Sequence, residues 1–192
     1  MTQTNRIILR VLFLILLAAV PLMAASAQAP TVNSDAYSVN VNGYLNVAAG
    51  SGLLVNDTGF NATTHRLETF DSVSQYGGTV FVASDGAFTY DPPIAFRGVD
   101  TFAYTVRNAS GSNRAIVTID VTGETVWFVD DTAAAGGDGT INAPFNSFAP
   151  VNGSGGVGDI DSVGNTIFVY EGNYSVEFDL ESGQKLILKS SH

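Results

Sequence analysis

After Ala29 the apolar side chains recur at every second residue, and no stretch repeats them at the helical spacing of about 3.6. Such a chain can bury its apolar side only by pairing strands and stacking the resulting sheets. Tyr37, Val39 and Val41 alternate with Ser38 and Asn40, and Leu45 and Val47 form a short second run. Val80 and Val82 share one face of a third strand, and Phe88 and Tyr90 share one on the return. Ser84-Asp85-Gly86 between them reads as a two-residue hairpin of the Asp-Gly type. Asp91-Pro92-Pro93 closes the return strand, because proline cannot donate to a ladder. Phe102, Tyr104 and Val106 make the next strand, Asn108 to Ser112 a loop, and Ala115, Val117, Ile119 and Val121 the last. Leu67 and Phe70 supply one more. About seven short strands, with turns every 8–12 residues or so, predict an antiparallel β-sandwich over residues 28–122. The bulk of Tyr37, Tyr90 and Tyr104 suits its core.

Composition narrows the function. Of the 192 residues 45% are apolar, too many for a disordered chain. Eight Lys and Arg face 18 Asp and Glu, for a net charge of −10, which argues against nucleic acid as a partner. There is no Cys, so disulfides, thiolate metal sites and a Cys nucleophile are all excluded.

Residues 1–27 have the three parts of a secretory signal peptide: Arg6 and Arg10, the apolar run Val11–Val20, then small residues after Pro21. Cleavage is expected after Ala27, since the rival site would place Pro30 just past the cut. The alternative is an uncleaved anchor, but the apolar run is short of the roughly 20 residues a span needs. Removing this segment takes away two Arg and no acid, moving the net charge from −10 to −12. No second long apolar run follows, so the mature chain carries no membrane span and is expected outside the cell, secreted or at the surface.

Five blocks in order carry a resemblance: Asp35-Ala36-Tyr37-Ser38-Val39, Gly52-Leu53-Leu54-Val55-Asn56-Asp57, Gly78-Thr79-Val80, Asp85-Gly86-Ala87-Phe88-Thr89-Tyr90, and Phe96 through Val106. Together they resemble the cadherin-like, Ig-like repeats found in tandem in large bacterial surface proteins. The resemblance implies a stalk or adhesion module, and in many members Ca²⁺ bound by an acidic run after Asn-Asp. Here that run reads Asn56-Asp57-Thr58-Gly59-Phe60-Asn61-Ala62 and lacks the further carboxylates. Asp57 and Asn61 alone cannot supply the six to eight or so oxygens of a calcium site. Asn56-Asp57 is read as an Asx turn, and Asp100 as a loop carboxylate bonded to its own backbone. No cofactor is therefore expected, with calcium the alternative.

Past Thr122-Gly123-Glu124 the texture changes. Val126-Trp127-Phe128-Val129 reads as a strand buried on both sides, with Trp127 in a core. Pro144 is read as opening a helical turn that Pro150 closes, and 153–158 as a flexible Gly-rich loop. Thr166–Tyr170, Val176–Leu180 and Lys185–Leu188 then follow as three short strands. The blocks Trp127-Phe128-Val129-Asp130, Gly137-Asp138-Gly139, Ala143-Pro144-Phe145, Gly164 to Val169, Glu171-Gly172-Asn173-Tyr174 and Gly183 to Leu186 resemble the opening of a right-handed parallel β-helix of the pectin-lyase-like type. The resemblance implies one first coil over 123–192, truncated and only marginally ordered by itself, since repeats need stacked neighbours.

No residue set reads as catalytic. No Arg follows Arg114, so a lyase base is missing; Asp130 and Asp131 would point to opposite faces of a strand. Asp159 and Asp161 share a Gly-rich loop and are read, with the other acids, as solvated turn residues. His65 is read as a surface residue, and five N-x-S/T acceptors, at Asn56, Asn61, Asn108, Asn152 and Asn173, as a polar surface. The expected function is a non-catalytic structural or adhesion module with surface proteins or glycans as partners. The alternative is the N-terminal part of a polysaccharide-degrading β-helix enzyme whose catalytic coils lie elsewhere.

Overall fold

The computed structural model describes residues 28–59, 66–152, 158–175 and 178–189. The expected signal peptide, His65 and Asn61 lie outside them. Seven strands form the first part: β1 Asp35–Asn40, β2 Leu45–Val47, β3 Arg66–Phe70, β4 Thr79–Val82, β5 Phe88–Asp91, β6 Gly98–Asn108 and β7 Gly111–Thr122. They make one sheet in the order β1-β7-β6-β3 and a second in the order β2-β5-β4. Val47, Val80, Val82, Phe88 and Tyr90 of the second sheet share one core with Phe102, Tyr104, Val106, Val117, Ile119 and Val121 of the first. The alternation read from the sequence is the reason. On β6 and β7 every second side chain points inward, and the register sets Phe102 opposite Val117 and Tyr104 opposite Ala115.

The sandwich is not wholly antiparallel. Its edge strand β1 runs parallel to β7, with Tyr37 opposite Ile119 and Val39 opposite Val121. Inward alternation looks the same in either strand direction, so periodicity cannot distinguish them. The β4–β5 hairpin also differs from the expectation. Ala83 pairs with Ala87, so the loop is the three residues Ser84-Asp85-Gly86. Gly86 closes it at φ 87, where the left-handed backbone favours glycine. Conversely, the β6–β7 loop is only Ala109-Ser110, tightened by the Ser110 N–H donating to Asn108 Oδ1 at 2.8 Å.

The second part is built on three strands, β8 Val126–Val129, β9 Thr166–Val169 and β10 Lys185–Leu188. They pair in parallel in the order β10-β9-β8, residue for residue: Trp127, Ile167 and Leu186 form one row, Val129, Val169 and Leu188 another. Two parallel partners therefore flank β9. The strand expected at Val176–Leu180 does not form over its described part, Phe178–Leu180. Trp127 and Val129 are buried with Phe145, Phe148, Val151, Ile167 and Val169, while Phe128 is only half-buried on the other face. β8 thus has one core face, not two. Pro150 lies inside a 3-10 turn, Ala149–Val151, instead of ending a helical turn begun at Pro144. Phe145 bridges in parallel to Val129, which holds the segment after Pro144 extended.

Asn42 joins the two parts. It is fully buried, with φ 58. Its Oδ1 accepts the Ala95 N–H at 2.7 Å, its Nδ2 donates to Val126 O at 3.1 Å, and its own carbonyl accepts the Ile141 N–H at 3.1 Å. Beside it, Asn142 Nδ2 donates to Asp91 Oδ2 at 2.8 Å.

Candidate functional site

Among the described residues, polar groupings in both parts and a groove in the second bring titratable side chains together. The first lies where β1 begins. The Tyr104 hydroxyl stands 2.9 Å from Leu53 O, 3.1 Å from both Asp35 Oδ2 and Asp57 Oδ2, and 3.3 Å from Asn33 O. It has one proton to donate and four acceptors around it. Asp57 is buried and takes a second bond from the Asn33 N–H at 2.8 Å; Asn56 Nδ2 donates to Asp35 Oδ1 at 3.1 Å. Burial, with the Asp57 charge adding, pushes Asp35 up to about 6. Burial also raises Asp57. Asp57 is therefore not the turn carboxylate the sequence suggested: it ties residue 33 to β6 from inside the fold.

The same geometry tests calcium. Asp57 Oδ1 accepts the Asn33 N–H, Asp57 and Asp35 are the two carboxylates here, and among the described residues no group of three or more His, Cys, Asp and Glu side chains is placed to hold a metal. These residues do not fit the calcium site that the resemblance implied.

The second grouping is centred on Asp100, which is fully buried on β6 and not a loop residue. Its Oδ2 accepts from the Ser74 hydroxyl and, at 2.8 Å, from the Tyr90 hydroxyl; its Oδ1 accepts the Tyr76 N–H at 3.1 Å and the Thr101 N–H at 2.7 Å. Burial and the facing Asp100 carboxylate drive the Tyr90 phenol well above its ordinary range. Sequence reasoning missed this node although its signal was present, since Asp100, Phe102, Tyr104 and Val106 keep step on one face of the strand.

In the second part, Trp127 is a core residue as expected. Its Nε1 donates to Asn165 Oδ1 at 2.9 Å and its ring stacks on Phe145 at 5.9 Å. Asp130 is a turn acid: its Oδ1 accepts from the Thr132 hydroxyl at 2.6 Å and the Thr132 N–H at 2.9 Å, which lowers its pKa. Asp131 Oδ2 instead accepts the Asn173 N–H at 2.8 Å. Asp161 contradicts the reading as a solvated acid, being only 8% exposed beside Asp159, Glu181 and Gln184. Of the N-x-S/T acceptors, Asn56 and Asn108 already spend their amides on backbone carbonyls.

The groove, about 560 Å³, lies between Asp130, the Ala133–Gly137 loop, Asn142 and Tyr170. Lys189 sits 5.2 Å from the centre of the Tyr170 ring. Asp130 is the one carboxylate in its lining, whereas glycoside hydrolysis needs a pair about 5–9.5 Å apart. The arrangement brings a carboxylate, a phenol and small side chains together.

The sandwich, with its Asp57 and Asp100 nodes, coincides with a known family. The family model of the bacterial cadherin-like domain matches residues 27–123, half of the chain, and the chain belongs to that family. No curated protein matches it. Among solved structures, a candidate alpha-galactosidase of Bacteroides fragilis is similar at 12% identity and TM-score 0.36, over 74% of this chain and 28% of that one. A sialyltransferase of Photobacterium damsela is similar at 13% identity and TM-score 0.28, over 82% of this chain and 30% of that one. The chain thus spans less than a third of either. Among the described residues no helix is long and apolar enough to cross a membrane.

Proposed function

We propose that this chain is a non-catalytic structural or adhesion module, secreted or displayed at the cell surface, in which a cadherin-like sandwich leads into the first turns of a parallel β-helix. The observation that carries this reading is the junction. Asn42 bonds to Ala95 of the sandwich and to Val126 and Ile141 of the parallel stack, so the sandwich is fastened to the stack rather than strung to it. A spacer that holds a second element in fixed orientation needs such a joint. The β-helix reading draws support from the residue-for-residue parallel register of β8, β9 and β10. Placement outside the cell rests on the family and on the signal-peptide pattern of residues 1–27. Surface proteins or glycans are the partners such a module meets.

The alternative is the leading part of a polysaccharide-degrading β-helix enzyme, and the same parallel stack would serve it. Residues 28–192 incubated with acidic polysaccharides, with and without Ca²⁺, separate the two. The module reading expects no unsaturated or reducing-end product; product formation overturns it.

A further inference from the structure

One face of the parallel stack is the core around Trp127; the other leads to the groove. Side chains alternate along each strand, so Phe128, Phe168 and Ile187 form one outer row. The register runs on past the strands, where the Tyr170 N–H donates to Val129 O and the Lys189 N–H to Val169 O, both at 2.9 Å. Asp130, Tyr170 and Lys189 therefore continue the outer face. The Phe128–Phe168, Phe128–Tyr170 and Phe168–Tyr170 ring centres lie 5.7, 6.5 and 5.2 Å apart, and Lys189 Nζ stands 5.2 Å from the Tyr170 centroid. These neighbours fix the Tyr170 ring in the groove wall, which lowers the ordering cost of any contact it makes. Among the described residues none bonds its hydroxyl. Asp130 stands in the same wall: Thr132 takes its Oδ1, and among the described residues none donates to its Oδ2. Asn142 gives its Nδ2 to Asp91 and keeps Oδ1 as an acceptor. Opposite them the short side chains of Ala133, Ala134 and Ala135 leave the groove its 560 Å³, within the roughly 300–1,000 Å³ of small-molecule sites. Gly137 lies so close to the Pro144 carbonyl that a Cβ there would collide with it.

Charge decides what such a lining accepts. The Thr132 hydroxyl holds the Asp130 carboxyl below its usual range, so an anionic ligand meets a carboxylate, on a chain whose net charge is already −10. A cationic ligand would have to share the Tyr170 ring with the Lys189 ammonium. An uncharged ligand rich in hydroxyls meets neither obstacle. One hydroxyl donates to Asp130 Oδ2 in a charge-assisted bond, another accepts from the Tyr170 hydroxyl, and the C–H groups of its ring pack on the alanines and the phenol edge. We propose that the groove binds an uncharged hexose glycan, with Asp130 and Tyr170 as the residues that bond its hydroxyls. This inference rests on the module reading and deepens it, by naming the class of glycan and the place of contact.

Titration of the full chain with cellohexaose, mannohexaose and maltohexaose, and with hexagalacturonate as the acidic counterpart, followed by saturation-transfer NMR, tests it. At least one neutral oligosaccharide is expected to bind, about tenfold or more tighter than hexagalacturonate. Tyr170→Ala is expected to weaken that binding about tenfold. Tyr170→Phe keeps the ring packing should Tyr170→Ala fail to fold, and is expected to weaken it severalfold through the hydroxyl alone. Asp130→Asn keeps an acceptor for Thr132, and is expected to weaken neutral binding and narrow the preference over hexagalacturonate. Binding of no neutral oligosaccharide overturns the proposal. So does a preference for hexagalacturonate, or an affinity that none of these variants moves. Cleavage of the bound oligosaccharide would support the site while overturning the module reading; neither binding nor cleavage overturns the site and leaves that reading standing.

Discussion

Replacing Asp100 with Ala removes the acceptor for four donors in the middle of the sandwich: the Ser74 and Tyr90 hydroxyls and the Tyr76 and Thr101 amides. Tyr90 and Ser74 are buried, so their hydroxyl protons lose their partner with no water to replace it. At about 1–3 kcal/mol for each orphaned buried donor, the two hydroxyls cost about 4 kcal/mol together. In a domain of this size each kcal/mol moves the melting temperature by about 4–8 °C, so a drop of roughly 16–32 °C is expected. Asp100→Asn should cost less. Its NH₂ group has to face one pair of donors, and only hydroxyls can turn to accept from it, so it faces Ser74 and Tyr90. That leaves about 1–2 kcal/mol. Tyr90→Phe alone should cost a similar amount, and the double variant Asp100→Ala/Tyr90→Phe should fall short of additivity by about 1–2 kcal/mol. Far-UV circular dichroism in urea reads the sandwich, while Trp127 fluorescence reads the other part of the same molecule. An Asp100→Ala variant within about 1 kcal/mol of the parent, or strict additivity in the cycle, would refute the reasoning.

Two further outcomes follow from the same kind of bookkeeping. Asn42→Gly keeps the left-handed backbone of φ 58 but deletes the bonds to Ala95 and Val126, so Trp127 should become measurably more open to acrylamide quenching while the sandwich melts nearly as before; unchanged quenching would count against the joint. Asp35 is raised from 3.8 to about 6 by burial, so the folded state holds the extra proton between those values. Its contribution is complete below about pH 4 and lost as pH climbs through 6. The urea midpoint of the parent relative to Asp35→Asn should therefore decline from pH 4.5 to pH 7.5, and a flat difference would sink this assignment.

The strands were legible because their burial is local information. Val80 and Val82, Phe88 and Tyr90, or Phe102, Tyr104 and Val106 declare a face by spacing alone. What spacing does not carry is the partner. β1 lies parallel to β7 although both read as ordinary alternating strands. Buried acids were misread for the same reason. A carboxylate between turn residues, as at Asp57, or ahead of Thr101-Phe102, as at Asp100, reads as exposed until residues far along the chain arrive to solvate it. Asp100 depends on Ser74, 26 residues away, and Asp57 on Tyr104, 47 away. For Asp100 the strand period did place it inward, and the prior against buried charge overrode that signal.

These distant partners point to how a chain with no Cys closes its long loops. Asn42 to Val126 spans 84 residues, Tyr104 to Asn33 71, Asp131 to the Tyr174 hydroxyl 43, and Gln184 to Asp161 23. Each holds together residues far apart along the chain, as a disulfide does in other proteins. The physics differs in one respect. A disulfide acts chiefly by restricting the unfolded chain, and it persists there; a buried polar tie exists only in the folded state. Where such a node includes an acid raised by burial, as at Asp35 and Asp161, its strength depends on pH near neutrality, where a covalent crosslink would not. Burial differs just as widely along the chain, which places the first opening at the exposed β10 and the last within the closed core around Tyr90 and Asp100.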